Sequence, residues 1–143
     1  IAASYVISTI IVLFHNTLLL HCQPRLVKSL EDFVGTDGDP MSLVCEFESD
    51  EAVSGDAIRV TWMKDGVEVK PSKDIQVSWI PPEARLTIQE LLYPDDGGLY
   101  VCKARNNHGS VESTSRVTVN GKIKVEIAST YLSKSTVIEI KNR

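Results

Sequence analysis

The sequence predicts an all-β fold in which two sheets pack face to face as a sandwich. From Pro24 to Val119, short alternating or apolar segments are separated by turn residues at intervals of about 8 to 12 positions, the spacing of an all-β sandwich. In addition, Cys45, Trp62 and Cys102 fall on the inward faces of three separate predicted strands. At 143 residues the chain is long enough for one domain of ordinary size, so we expect one core.

Each predicted strand alternates apolar and other positions, so that one face is buried. In chain order the strands are PRLVKSL (24–30), PMSLVCEF (40–47), IRVTWMK (58–64), DIQVSWI (74–80), ARLTIQEL (84–91) and GLYVCKARNNHGSVESTSRVTV (98–119), which folds back at NNHG. The inward positions besides the cysteines and Trp62 are Met41, Leu43, Phe47, Ile58, Val60, Ile75, Val77, Trp79, Leu86 and Ile88. Asp65 and Gly66 predict a tight hairpin into VEVK (67–70). We therefore expect seven or eight strands within about ninety residues.

The segment DDGGLYVC (95–102) places a tyrosine two residues before a cysteine. Residues two apart on a strand share a face, so Tyr100 and Cys102 both point inward. The Asp96 side chain is placed to hydrogen-bond the backbone of the preceding turn, and Gly98 allows the chain to turn sharply into the strand. A tyrosine two residues before a cysteine resembles the tyrosine corner of immunoglobulin-like sandwiches, which implies that the Tyr100 hydroxyl hydrogen-bonds to the backbone upstream.

These motifs resemble the I-set of immunoglobulin domains, and most closely the tandem modules of titin-, twitchin- and obscurin-type muscle proteins. The resemblance covers roughly residues 24–119 and includes WMKDG (62–66), LTI (86–88) and CKARNNHG (102–109). It implies an immunoglobulin-like, two-sheet Greek-key sandwich. It also implies that Cys45 and Cys102 form a core pair, bridged or reduced, against which Trp62 packs. Leu86, Ile88, Asp96, Gly98 and Tyr100 complete this core signature.

The sequence departs from the family pattern in two places. Seventeen positions separate Cys45 from Trp62, and the segment between them, EFESDEAVSGDA (46–57), is acidic. A charge run is more often a solvated face, but this segment is the best local candidate for a partner-binding loop. Its candidate residues are Glu46, Glu48, Asp50, Glu51 and Asp56. The connection from Leu86 to Tyr100 is also about one residue longer than is usual in the family.

Trp79 and two lysines, Lys64 and Lys70, could each belong either to a binding site or to the ordinary core or surface of the domain. Trp79 is either an exposed binding anchor or an inward residue that continues Ile75 and Val77, and the alternation favours the core. Lys64 and Lys70 are expected to be ordinary surface charges rather than a site.

Composition argues against several functional classes. The chain has 15 basic and 19 acidic residues, a net charge of −4, and its basic residues are scattered, so nucleic acid is not an expected partner. Its histidines, His15, His21 and His108, assemble no nucleophile, base and orienting group. No metal spacing occurs among the three cysteines. We therefore expect no enzyme activity, no cofactor, no metal and no small-molecule substrate.

Composition shifts divide the chain into three segments. Residues 1–23 contain no Asp, Glu, Lys or Arg and form an apolar leader, either signal-peptide-like or non-coding read-through. Residues 24–120 form the predicted domain. Residues 121–143 are a tail expected to be disordered or not native. HCQ (21–23) can be encoded by bases that usually end an intron, and NGK (120–122) by bases that usually begin one. If both flanks are read-through of this kind, Cys22 is not a native cysteine.

The resemblance implies a non-catalytic structural and protein-binding module, a fragment of a tandem-immunoglobulin muscle scaffold in the sarcomere or cytoskeleton. Its expected partners are proteins, including neighbouring immunoglobulin domains. The alternative is a secreted or cell-surface adhesion or receptor protein, with residues 1–22 as signal peptide and Cys45 bridged to Cys102. A membrane is involved only if residues 1–20 are a true signal or anchor. A third hypothesis is a regulatory module beside a kinase. The absence of any Asn-X-Ser/Thr site favours the cytosol, whereas the leader favours secretion.

Overall fold

The computed structural model describes residues 6–13, 22–49, 57–122, 124–128 and 137–141. In these residues the chain forms a helix over 6–13 and eleven β-strands. The strands are β1 (Arg25–Lys28), β2 (Phe33–Thr36), β3 (Met41–Glu48), β4 (Arg59–Lys64), β5 (Val67–Glu68), β6 (Ile75–Ile80), β7 (Glu83–Ile88), β8 (Gly98–Asn106), β9 (Gly109–Asn120), β10 (Lys124–Ala128) and β11 (Val137–Lys141). Strands β1 to β9 form two sheets, which confirms the predicted sandwich.

The first sheet has four antiparallel strands in the order β1-β3-β7-β6. On β3 the side chains alternate between buried and more exposed positions, which places Met41, Leu43, Cys45 and Phe47 in the core as the sequence predicts. On β7, Leu86 lies opposite Leu43, and Ile88 lies opposite Met41. The inner face of this sheet is therefore continuous and apolar.

The second sheet has five strands in the order β2-β9-β8-β4-β5. Its centre is the β8–β9 hairpin, whose antiparallel register runs from Gly98 opposite Val117 to Asn106 opposite Gly109. Strand β4 pairs with the other side of β8 and places Trp62 directly opposite Cys102. The predicted fold-back at NNHG and the predicted inward face of β4 are both confirmed.

Strand β2 is absent from the sequence prediction, which expected seven or eight strands where β1 to β9 make nine. The chain leaves the first sheet after β1 and joins the second sheet as β2, parallel to β9. The backbone N–H of Leu30 donates to Ser113 Oγ (2.8 Å), and Ser115 Oγ donates to the carbonyl of Glu31 (2.7 Å). Two buried serines of β9 therefore hold the crossing segment between the sheets.

The core lies between the two sheets and is bridged by a disulfide. Cys45 on β3 and Cys102 on β8 are bonded to each other, so the bond joins one sheet to the other. The buried apolar residues of this core are Leu30, Met41, Leu43, Cys45, Phe47, Ile58, Trp62, Ala84, Leu86, Ile88, Leu91, Tyr100, Cys102, Ala104, Val117 and Val119.

The hairpin between β4 and β5 turns at the two residues that the sequence indicated. Asp65 has φ of 50° and Gly66 has φ of 83°, so both residues are left-handed as a type I′ turn requires. Aspartate tolerates this conformation better than most side chains, and glycine adopts it without steric cost. The predicted hairpin is therefore confirmed.

The flanking segments differ in part from expectation. Strands β10 and β11 pair antiparallel, with Lys124 opposite Lys141 and Ala128 opposite Val137, where we expected a tail that is disordered or not native. The physical reason is that KVEIA and VIEIK are rich in Val and Ile, which favour extended pairing. The boundaries at 23 and 120, and the native status of both flanks, stay predictions. Of the helices that the structure describes, none has the length and apolar character needed to cross a bilayer.

Candidate functional site

The predicted core signature occupies the centre of the sandwich. Cys45, Cys102 and Leu86 have no exposed surface, and Trp62 and Ile88 are almost as deeply buried. A disulfide in this position has no open path to a reaction partner, and both sulfurs are already bonded to each other. These residues hold the two sheets together, and binding has to use other residues.

The tyrosine corner has the geometry that the motif predicts. The buried Tyr100 hydroxyl donates to the carbonyl oxygen of Asp96 (3.0 Å). The Asp96 carboxylate in turn accepts from the backbone N–H of Leu92 (2.8 Å), which ties down the preceding turn. Burial, followed by the nearby charge of Asp96, raises the pKa of Tyr100 above its ordinary value of 10.0, because the phenolate would lose its hydration. Tyr100 therefore stays a neutral hydrogen-bond donor.

Asp65 joins two loops at the same end of the domain, a role that sequence reasoning missed. Its carboxylate accepts from the backbone N–H of Leu99 (2.8 Å) and from Lys64 Nζ (3.1 Å). These contacts, the Leu99 hydrogen bond first, lower the pKa of Asp65 below 3.8. Gly98 has φ of 149°, and a Cβ there would overlap the Asp65 carboxylate. Gly98 is thus needed for the close approach of these two turns.

The acidic candidate loop is only partly within the described residues. Asp50, Glu51 and Asp56 lie outside them. Glu46 and Glu48 are on strand β3, which corrects their assignment to a loop. The reason is that the alternation of β3 continues to Glu48, which pairs with Arg25 on β1 in register and as an ion pair.

Trp79 lies on the inward side of β6, as its alternation predicts. It is partly buried, and its ring packs against Phe47 with centroids 6.5 Å apart. Lys64 pairs with Asp65, and Lys70 is exposed, which is consistent with ordinary surface charges. That Lys64 and Lys70 are ordinary surface charges rather than a site stays a prediction.

A groove on the outer face of the five-stranded sheet is the best candidate for binding. Arg59, Thr61, Lys103, Arg105 and Asn107 line it together with Asn106, and we call this surface the basic groove. Arg59 lies directly opposite Arg105 across β4 and β8, and Thr61 lies opposite Lys103. Like charges placed directly opposite on a sheet are destabilising, so a bound anionic group would relieve repulsion here.

Only one of the three cations in the basic groove has an ion pair within the described residues. Lys103 Nζ lies 3.8 Å from Glu112 Oε2, whereas neither Arg59 nor Arg105 has an acidic partner in this part of the chain. Both arginines are exposed. Guanidinium groups suit carboxylates, because their donors form two parallel hydrogen bonds to one carboxylate.

The same sheet face becomes apolar beyond the basic groove. Met63 lies opposite Val101, both partly buried, and Leu99 is 41% exposed. Basic side chains beside an apolar strip are suited to a protein segment that has both acidic and apolar side chains. Sequence reasoning missed this surface because its cations come from two strands, and only the β4–β8 register brings them together.

Asn106 fixes the turn that borders the basic groove. Its Oδ1 accepts from the backbone N–H groups of His108 (2.9 Å) and Gly109 (3.1 Å). Its Nδ2 donates to the carbonyl of Cys22 (2.6 Å), which is itself only 4% exposed. The incoming chain is therefore held against the β8–β9 turn, and this contact lies across the predicted boundary at residue 23.

Metal binding has no support among the residues that the structure describes. In that part of the chain, no three His, Cys, Asp or Glu side chains come together in an arrangement that could hold a metal ion.

Comparison with known proteins gives a family match, and the relatives include a muscle kinase and a receptor-type phosphatase. Residues 24–119 match the sequence model of the family described as immunoglobulin I-set domain. The chain is 34% identical over 96 residues to the smooth muscle myosin light chain kinase of Gallus gallus, which is 67% of this chain and 5% of the kinase. It is 32% identical over 109 residues to receptor-type tyrosine-protein phosphatase S of Gallus gallus, which is 73% of this chain and 7% of the phosphatase. The chain therefore spans a small part of the length of these relatives.

Solved structures show the same fold. A crystal structure of the complex between titin M10 and an obscurin-like 1 immunoglobulin domain aligns with a TM-score of 0.63 and 25% identity. The alignment covers 70% of this chain and 96% of the other.

Proposed function

Because the chain belongs to the immunoglobulin I-set family, we propose that it is a non-catalytic structural and protein-binding module of a tandem-immunoglobulin muscle scaffold protein. The similarity to a smooth muscle kinase and to the titin–obscurin-like complex supports the muscle assignment. That complex also supports a protein partner, and neighbouring immunoglobulin modules are natural candidates. On this proposal the module acts in the cytoplasm, on the sarcomere or cytoskeleton, without cofactor, nucleic acid or small-molecule substrate.

The observation that carries the binding role is the basic groove. Arg59 and Arg105 face each other without an acidic partner in the described residues, next to an apolar strip on the same sheet. We infer that the partner presents an extended segment with carboxylates spaced by uncharged side chains. Two arginines that each bind one carboxylate give specificity as well as attraction. The acidic segment at 46–57 stays a second candidate surface, for a basic partner.

The test is a binding titration with a labelled, short peptide of alternating glutamate and serine. The variant Arg59→Ala/Arg105→Ala removes both unpaired cations of the basic groove. The matched control, Lys70→Ala/Lys73→Ala, removes the same charge from exposed lysines at the other end of the domain. We expect the arginine variant to bind about tenfold more weakly, or about 1.4 kcal/mol, and the lysine control to bind as the unaltered chain does. Equal weakening in both variants would show that only net charge matters.

A second candidate function, a secreted or cell-surface receptor module, is favoured by a specific observation. The Cys45–Cys102 disulfide is typical of proteins from oxidising compartments, and one relative is a receptor-type phosphatase. Thiol labelling distinguishes the two candidates when the protein is taken from its own cells under acid quench and denatured before labelling, because both cysteines are buried in the folded domain. Labelling of Cys45 and Cys102 before reduction supports the cytoplasmic scaffold. Labelling of both only after reduction supports the receptor.

A further inference from the structure

Strand β6 is an outer strand of the four-stranded sheet and carries no charge. It comprises six residues, IQVSWI, with no Pro or Gly among them. Ile80 at its end is 74% exposed. Natural outer strands are usually protected from pairing with other chains by charges, prolines, bulges or short length. Within β6 itself these protections are missing.

The other outer strands of the sandwich are protected. Strand β1 begins and ends with charged residues, Arg25 and Lys28, and its pairing with β3 is irregular. Strand β5 has only two residues, and β2 has four. Strand β6 is therefore the outer strand of the sandwich best able to accept another strand.

The free backbone groups of β6 can be assigned from its pairing with β7. The N–H of Gln89 donates to the carbonyl of Asp74, which precedes β6 in the same register. Hydrogen-bonded pairs alternate along an antiparallel register, so the even-numbered residues of β6 direct their backbone groups toward β7. The odd-numbered residues direct theirs away from the sheet. The outward groups of Ile75 already have partners in Ser72. The Ile75 N–H donates to Ser72 Oγ, and the Ile75 carbonyl accepts from the Ser72 N–H. The N–H and C=O groups of Val77 and Trp79 remain without a partner in the described residues.

We propose that two copies of this chain associate by antiparallel pairing of β6 with β6 about a two-fold axis at Ser78. In this register Val77 of each copy exchanges two hydrogen bonds with Trp79 of the other, which satisfies the four free groups of each copy. Ser78 faces Ser78, and Gln76 faces Ile80, so no like charges meet. The sheets join into one eight-stranded sheet, and the two-fold pairing closes on itself instead of extending into a fibre.

Cysteine cross-linking tests this register. In an antiparallel pair, the residues at Ser78 form a non-hydrogen-bonded pair with Cα atoms about 4.5 Å apart, which a disulfide can bridge. Ser78→Cys should therefore form a disulfide-linked dimer under mild oxidation. The matched control is Gln76→Cys, which is exposed on the same strand and face. Its sulfur would lie four residues, about 13 Å, from its copy, beyond the reach of a disulfide.

Sedimentation of the full chain at rising concentration provides an independent readout. We expect the average mass to rise from 15.8 kDa toward twice that value as the concentration reaches about 1 mM. Ser78→Lys, which places two ammonium groups at the two-fold axis, should remain monomeric, whereas Thr114→Lys on the other sheet should dimerise normally. Denaturation midpoints of both variants verify that they are folded. Equal cross-linking of the two cysteine variants, a monomer at every concentration, or equal dimerisation of the two lysine variants would overturn the proposal.

Discussion

Asn106 offers a sharp test of how the incoming chain and the β8–β9 turn are held together. Its side chain makes three hydrogen bonds, two to backbone N–H groups of its own turn and one to the carbonyl of Cys22. It is only 6% exposed, so water cannot easily replace these partners. Asn106→Ala removes all three hydrogen bonds at once.

The size of the effect follows from these contacts. A hydrogen bond contributes about 0.5 to 1.5 kcal/mol net, so losing three should lower the free energy of unfolding by about 1.5 to 4.5 kcal/mol. For a domain of about one hundred residues, in which 1 kcal/mol shifts the melting temperature by about 4 to 8 °C, the melting temperature should then fall by about 6 to 36 °C. Asn106→Ser keeps a local acceptor for the turn but cannot reach Cys22. Serine should therefore recover about half of the loss.

Urea denaturation of the full chain, followed by tryptophan fluorescence, measures these differences. The control is Asn120→Ala, which removes an exposed amide at the end of β9 and should change the free energy of unfolding by less than about 0.5 kcal/mol. If Asn106→Ala unfolds at the same urea concentration as Asn120→Ala, the three hydrogen bonds do not hold this end of the domain. If serine is no better than alanine, the turn contacts are not the stabilising ones.

Three further predictions concern the core and the opposite end of the domain. Trp62→Ala should cost about 3 to 5 kcal/mol, because the indole is almost fully buried beside Cys102; an unchanged denaturation midpoint would contradict this. Tyr100→Phe should lower the free energy of unfolding by about 0.5 to 1.5 kcal/mol, since only the hydrogen bond to Asp96 is lost; a larger loss would indicate altered packing. Asp65→Asn should be less stable than the unaltered chain above about pH 5, and the difference should shrink as the pH falls below 3.8. The reason is that the Asp65 carboxylate, whose pKa is lowered in the folded domain, stabilises the fold only while it is ionised. A difference in stability that does not change between about pH 2 and pH 7 would refute this.

Features set by local alternation were predictable from the sequence. The inward faces of β3, β4 and β8 follow directly from residues two apart, and the turn at Asp65 and Gly66 follows from its φ requirement. The Tyr100 hydrogen bond followed from a motif seven residues long, Asp96 to Cys102.

Features set by long-range pairing were not predictable in this way. Strand β2 is short, contains a glycine and pairs with β9, which lies more than eighty residues further along the chain. The basic groove depends on the register that places Arg59 opposite Arg105, and neither arginine stands out on its own strand. The acidic segment drew attention because its charges are closely spaced, yet two of them belong to β3.

We propose that the module recognises protein through the outer face of its five-stranded sheet. The most direct test is a two-dimensional amide NMR spectrum of the isotope-labelled full chain, recorded as the glutamate–serine peptide is added. We predict progressive shifts for the amides of Arg59, Thr61, Lys103 and Arg105, which diminish as salt is added because the contact is electrostatic. Shifts confined to β6, to the acidic segment or to the loops at the other end, or no shifts at all, would contradict the claim.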